Sequence, residues 1–173
     1  MSHSFVIVPV IDIPEPIVLD YWQRLYNADL LKYRLCDVEN PNPADAFTLP
    51  QQTMFMVWDT DLKEIRAEFA LTNFTGKAAM VHFSMHPENR PQQSMHYARA
   101  VTDQVLNEWR DSTEDAPYLY ALYGLTPVTN RAACAFVRRV GFKKIGTLPM
   151  GQRSNGSEFV DAMITIKERS NGR

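Results

Sequence analysis

Residues 86–95 read "HPENRPQQSM" and lie between an apolar run and a long stretch with helical spacing. A strand, a short loop and a helix start in that order can hold a phosphate. The first N–H groups of a helix are unpaired, and the helix dipole favours an anion. Such loops usually carry glycine, because the backbone must approach the anion closely. This loop has none. It offers Arg90, which can pair with a phosphate, together with Pro91, which brings no N–H, and two glutamines, Gln92 and Gln93.

Other side chains could carry chemistry. Glu68 shares its strand parity with Arg66 and Thr72, and a carboxylate facing an acceptor can serve as a general base. The plainer alternative is a solvated or ion-paired strand residue. His82 and His86 share a parity and His96 follows on a helix, but a metal would need them to converge with a carboxylate or thiol. Ordinary core or surface histidines are expected instead. Tyr118, Tyr120 and Tyr123 are candidates for a proton donor, against the alternative of a well-packed strand. Arg138, Arg139, Lys143 and Lys144 cluster where a helix should end, where cations complement the dipole. Cys134 reads as a small packed residue.

The elements that must position these groups follow from periodicity. Ser4 to Val10 predicts a strand. Pro16 can open a helix, whose apolar positions are Val18, Tyr21 or Trp22, Leu25 and Leu30. Residues 39–50, with three prolines, predict a loop. Thr53 to Trp58 predicts a strand, Asp59 to Lys63 a turn, and Ile65, Ala67, Phe69 and Leu71 the inward face of a half-buried strand. Residues 78–85 form a third strand of this meander. From Gln92 to Arg110 the spacing of Ala98, Val101, Val105 and Trp109 is helical. Residues 117–125 return to strand.

A short helix then runs through residues 129–140, capped by Thr129 or Asn130 and stopped by Gly141. Phe142 to Leu148 and Phe159 to Ile166 are the last strands, joined by a polar loop. The order β, α, β, β, β, α, β, α, β, β implies an α/β mixed sheet with helices on its faces.

A chain of 173 residues, 45% apolar, is long enough for one domain, here residues 1–173 with an ordered core of about 4–167 and a frayed tail. The net charge of -2 argues against general nucleic-acid binding. No basic region precedes the short apolar N-terminal stretch, which is too short to span a bilayer. Cys36 and Cys134 are far apart, as free thiols in a reducing compartment would be. A soluble cytoplasmic protein is expected, with no membrane partner; a homodimer is left open.

Two stretches resemble the GNAT fold, that of the GCN5-related N-acetyltransferases. "NRAACAFVRRVGFKKIG" is similar to the family's late helix in its Asn130, Ala133, Gly141-Phe142 and Gly146. "VHFSMHPENRPQQSM" resembles the family's strand four and pyrophosphate loop. The resemblance implies that strands four and five lie parallel and splay at one end. It implies that acetyl-CoA is the co-substrate, with pantetheine pairing to main chain at Phe83, Ser84 and Met85. The pyrophosphate would sit on Arg90 and the amides of Gln92, Gln93, Ser94 and Met95, with Asn130 and Ala133 at the start of the late helix. An amine, on a small molecule or a protein, would attack the thioester, with Glu68 as candidate base and Tyr120 as candidate acid.

Two departures stand out. The small positions of the family's loop fall on Gln93 and Met95, which would crowd a diphosphate. The tyrosine that often protonates the leaving thiolate falls on Val137. A further resemblance, over "YGLTPVTNRAACAFVRRVGFKKIGTLPMG", is to GNAT-like late proteins of short-tailed lambdoid phages. It implies a second role: a bacteriophage protein without catalysis, whose partners are virion proteins in head assembly.

Overall fold

The computed structural model describes residues 4–34, 40–48, 53–109, 118–154 and 158–170. Strand β1 (Phe5–Pro9) leads to helix α1 (Glu15–Asn27) and a single turn, α2 (Leu31–Arg34). A meander follows: β2 (Met54–Asp59), β3 (Glu64–Thr75) and β4 (Ala78–Met85). Then come α3 (Pro91–Glu108), β5 (Ala121–Pro127), α4 (Arg131–Val140), β6 (Lys143–Ser154) and β7 (Glu158–Glu168). The strands form one seven-stranded sheet in the order β1-β2-β3-β4-β5-β7-β6. β4 and β5 run parallel, and every other neighbouring pair is antiparallel. The expected mixed sheet with flanking helices is found.

Both faces of the sheet are covered. On one, α3 and α4 pack Tyr97, Ala98, Val101, Val105 and Val140 against Ala67, Phe69, Leu71 and Leu122. On the other, α1 buries Val18, Tyr21, Trp22 and Leu25 against Met54, Met56, Ile65 and Ala70. This corrects the expectation of a half-buried third strand. In β3, every residue from Ile65 to Leu71 is buried. Ala67, Phe69 and Leu71 share the expected face, but α1 lies over the other side, and a bulge opposite Val57 and Trp58 breaks the alternation and puts Ile65 with Ala70 in the cluster under α1. Arg66 and Glu68 are therefore buried with partners rather than solvated, as buried charges must be.

Local signals explain the helix ends. Pro16 stands in the first turn of α1, where its missing N–H costs nothing. Asn130, rather than Thr129, caps α4: its side-chain oxygen accepts the Ala133 N–H at 3.0 Å. Gly141 adopts φ 111° and ends the helix, a conformation that other residues enter only with strain. Phe142, 3% exposed, drops into the core, its ring perpendicular to Phe83 at 6.1 Å.

Several boundaries differ from expectation, among them the start of β5, at Ala121 rather than residue 117. The proline-rich segment contains a 3-10 turn, Pro43–Thr48. β6 and β7 reach beyond the predicted ends, so part of the polar connection is strand. The tail is tied as far as Arg169, whose N–H donates to the Tyr120 carbonyl at 2.8 Å. Cys134 is a free thiol, and Cys36 lies outside the described residues. No described helix is long and apolar enough to cross a membrane.

Candidate functional site

β4 and β5 pair only where Ala78, Ala79 and Met80 meet Ala121, Leu122 and Tyr123. Beyond that, β4 stays with β3 as far as Met85, and β5 stays with β7 as far as Pro127. The sheet therefore opens into a V toward the C-terminal ends of both strands. The ladder sets which amides face the opening. His86 donates its N–H to the Arg66 carbonyl at 2.9 Å. In an antiparallel pair hydrogen-bonded positions alternate, so the bonded pairs are 66/86, 68/84 and 70/82. The N–H groups of Phe83 and Met85 thus point into the gap. That of Ser84 belongs to the β3 ladder, and its carbonyl accepts the Tyr21 hydroxyl at 2.8 Å. Of the expected three-residue stretch, two amides are available. The Phe83 ring meets Phe69, Phe136 and Phe142 at 5.4, 6.0 and 6.1 Å, giving the gap an aromatic wall on the α4 side.

The loop from β4 to α3 is pinned to the sheet. Asn89 accepts from Arg66 Nε at 2.8 Å and donates to the Arg66 carbonyl at 2.8 Å. Its N–H reaches the His86 carbonyl at 3.0 Å. Arg66, 5% exposed, also pairs with Glu64. This pin places Arg90, exposed, as the N-cap of α3. The start of a helix has four unpaired donors. Pro91 supplies none, and the Arg90 N–H is taken by Gln93 Oε1 at 3.0 Å. From Ser94 on the helical ladder begins, with the Ser94 N–H on the Arg90 carbonyl at 3.1 Å. The amides of Gln92 and Gln93 remain. The amides of Ser94 and Met95, expected in the cradle, are used inside the helix. Ser94 is buried and Met95 half-buried.

α4 begins at the same wide end, because β5 runs parallel to β4. Asn130 donates its N–H to the Pro127 carbonyl at 2.9 Å, and Ala133 sits half-buried in the first turn. Arg99, the next cation along α3, is committed elsewhere: its guanidinium donates to the Arg139 carbonyl and closes the end of α4.

The candidate acid is not brought to the gap, and the candidate base, the cross-strand partner of Ser84, turns to the α1 face. Glu68, 1% exposed, lies on the α1 face of β3, where Trp22 Nε1 donates to it at 3.1 Å. Tyr120 precedes β5, its N–H on the Lys77 carbonyl at 2.7 Å. That is the closed end of the V, about 26 Å along the strand from Met85 at the usual rise. Tyr123 donates its hydroxyl to the Asn73 carbonyl, and Tyr118 packs on Trp109. His82 bonds Thr72 and His96 meets the Phe5 ring. Among the described residues no cluster of three His, Cys, Asp or Glu could hold a metal.

Sequence reasoning missed the Asn89–Arg66 pin and the burial of His86. The first had a signal, since Asn in a short loop commonly bonds nearby main chain. Burial, then the charge of Arg66, pushes the His86 imidazole below the usual histidine range. Burial, then Asp59, pushes the Tyr97 hydroxyl up.

No protein-family model matches the chain, and no curated protein matches it in sequence. Solved structures do match. An acetyltransferase of the GNAT family from Bacillus anthracis superposes with a TM-score of 0.71 at 11% identity over 98% of both chains. Spermidine N-acetyltransferase from Vibrio cholerae, in complex with CoA and spermine, gives 0.66 at 18% identity over 96% of both chains. The microcin C7 self-immunity acetyltransferase, in complex with acetyl-CoA and AMP, gives 0.61 at 15% identity over 87% of this chain and 88% of that one. The fold is that of the GNAT acetyltransferases.

Proposed function

We propose that residues 1–173 form one GNAT-like unit, acting in the cytoplasm, that binds acetyl-CoA weakly and transfers its acyl group to an amine. One observation carries this reading: the amides of Phe83 and Met85 face an open gap beside a helix start that carries an exposed Arg90. The pantetheine would pair with those two amides. The diphosphate would rest on Arg90 and the amides of Gln92 and Gln93, with Asn130 and Ala133 across the gap. The amine nitrogen attacks the thioester carbonyl, the C–S bond breaks, and the thiolate takes up a proton as the amine loses one. With Glu68 held by Trp22 and Tyr120 at the closed end, solvent is the proton carrier in this reading.

The donor count at α3 favours a second reading, a GNAT-fold phage protein that works in virion assembly without catalysis. A helix start with two open amides and no glycine is a poor cradle for a diphosphate. Calorimetric titration of acetyl-CoA into the protein separates the two. A dissociation constant on the order of 0.1 mM, equivalent to about 5 kcal/mol, is expected for the transferase reading. Absence of binding at millimolar ligand would count against the transferase and favour the assembly role.

A further inference from the structure

Apart from the gap, on the α1 face, a cavity of about 420 Å3 lies between the first half of α1 and the β2–β3 turn. Its walls include Ile17, Asp20, Arg24, Trp58, Glu64 and His86. A second cavity of about 240 Å3 shares Ile17 and Trp58 with it and continues over Val8, Ile13 and Pro14, with one carboxylate, Asp12, in its lining. The two make one cleft with a polar end and a largely apolar end.

The polar end holds an unanswered donor. His86 is 3% exposed, and its Nδ1 accepts the Glu88 N–H at 3.3 Å. In the neutral imidazole the proton is then on Nε2, and burial keeps the ring neutral. Nε2 has no partner. A buried donor without an acceptor is costly, so the site calls for an acceptor oxygen. Around it stand both signs of charge. Arg24 bridges Asp20 at 2.8 Å and Glu64 at 3.6 Å, and Lys63 stands on the turn beside them.

We infer that this cleft binds an aliphatic α-amino acid. One carboxylate oxygen accepts from His86 Nε2, the ammonium group lies toward Asp20, whose Oδ1 the Arg24 pair leaves open, and the side chain runs along Ile17 and Trp58 into the second cavity. A cavity of this volume is within the ordinary range for small-molecule sites. His86 directly follows Met85 and holds the turn that leads to Arg90 through the Glu88 and Asn89 N–H groups. Occupancy would stiffen that turn. The inference is independent of acetyl-CoA.

The test follows the His86 ring nitrogens by NMR while L-leucine is added to the full chain. The expected result is a saturable Nε2 shift with a dissociation constant of about 1 mM or tighter. 3-Methylbutylamine, which lacks the carboxyl group altogether, and 4-methylpentanoate, which lacks the ammonium, should each bind at least about fivefold more weakly, since each leaves one wall of the site unpaired. His86→Phe should weaken leucine binding at least about tenfold, the loss of one well-placed hydrogen bond. Leu62→Trp, a bulkier side chain at an exposed lining position, does the same by filling the cavity should His86→Phe fail to fold. A shift absent at about 20 mM leucine would overturn the inference and leave Nε2 to water. Binding that survives both substitutions would overturn it as well.

Discussion

The side chain of Gln93 folds back onto the main chain of Arg90, its Oε1 accepting the N–H at 3.0 Å. It fills with a neutral amide the donor that an anion at this helix start would use. The absence of glycine is thus only part of why the cradle is weak. Gln93→Ala should release the Arg90 amide while keeping good helix propensity. With a third donor open, acetyl-CoA should bind about three- to tenfold more tightly, a fraction of the 1.5–3 kcal/mol of a charged hydrogen bond. The lost cap should lower stability by about 0.5–1 kcal/mol. Calorimetry and a melting curve read both effects. An unchanged dissociation constant would show that the diphosphate does not sit at this helix.

What the sequence made legible was what depends on neighbours along the chain. The spacing of Val101 and Val105, the cap at Asn130, the stop at Gly141 and the alternation from Ala67 to Leu71 each follow from a few adjacent residues, and each is where the pattern places it. What stayed hidden depends on contacts across long separations. That the polar side of β3 is buried requires α1 to lie over it, a contact between residues 22 and 68. That Tyr120 stands at the closed end follows from its pairing with Lys77, 43 residues earlier. The candidate loop was visible as a strand–loop–helix. Which of its donors remain open was not, because that turns on the rotamer of one glutamine.

Phe142→Ala should cost about 3–5 kcal/mol, since the ring is 3% exposed and meets Phe83 edge-on, and truncation leaves a cavity. Phe159→Ala is the control. That ring is 51% exposed under the Arg153 guanidinium, and its loss should cost less than about 1 kcal/mol. Denaturant unfolding of both variants checks the contrast. Equal small losses would mean that α4 and β6 do not share the core described for them.

Acid should destabilise the fold through His86. Its native pKa is lowered by burial and by Arg66, opposed by Glu64 and Glu88, with Arg24 adding to the lowering. The unfolded chain then binds more protons than the native one below the ordinary histidine pKa of about 6.5. Stability is fully present above that value and falls as pH drops through it toward the lowered native pKa. His86→Gln should flatten this part of the curve. The Glu88 N–H contact makes the β4–α3 turn the region to loosen first, which hydrogen exchange at Glu88 and Asn89 would report. A stability curve with the same slope in both proteins between about pH 5 and 6.5 would remove His86 as the cause.

Glu68 offers the sharpest division between a structural and a catalytic carboxylate. It is 1% exposed, faces α1 and accepts from Trp22 Nε1, itself fully buried. Glu68→Ala would leave a buried indole N–H without this acceptor and open a cavity, at a cost of about 2–4 kcal/mol. Glu68→Gln keeps an oxygen in reach of Nε1 and should cost about 1 kcal/mol. Trp22→Phe combined with Glu68→Ala should show a coupling energy of about 0.5–3 kcal/mol, as contacting residues do. A general base would behave differently. Its removal as Gln would lower kcat by about 10²–10⁴ and erase the acidic limb of the pH profile. Because Glu68 is buried facing α1 and held by Trp22, acyl transfer by Glu68→Gln should stay within about threefold of the parent. A loss of a hundredfold with an unchanged melting temperature would put the carboxylate in the reaction after all.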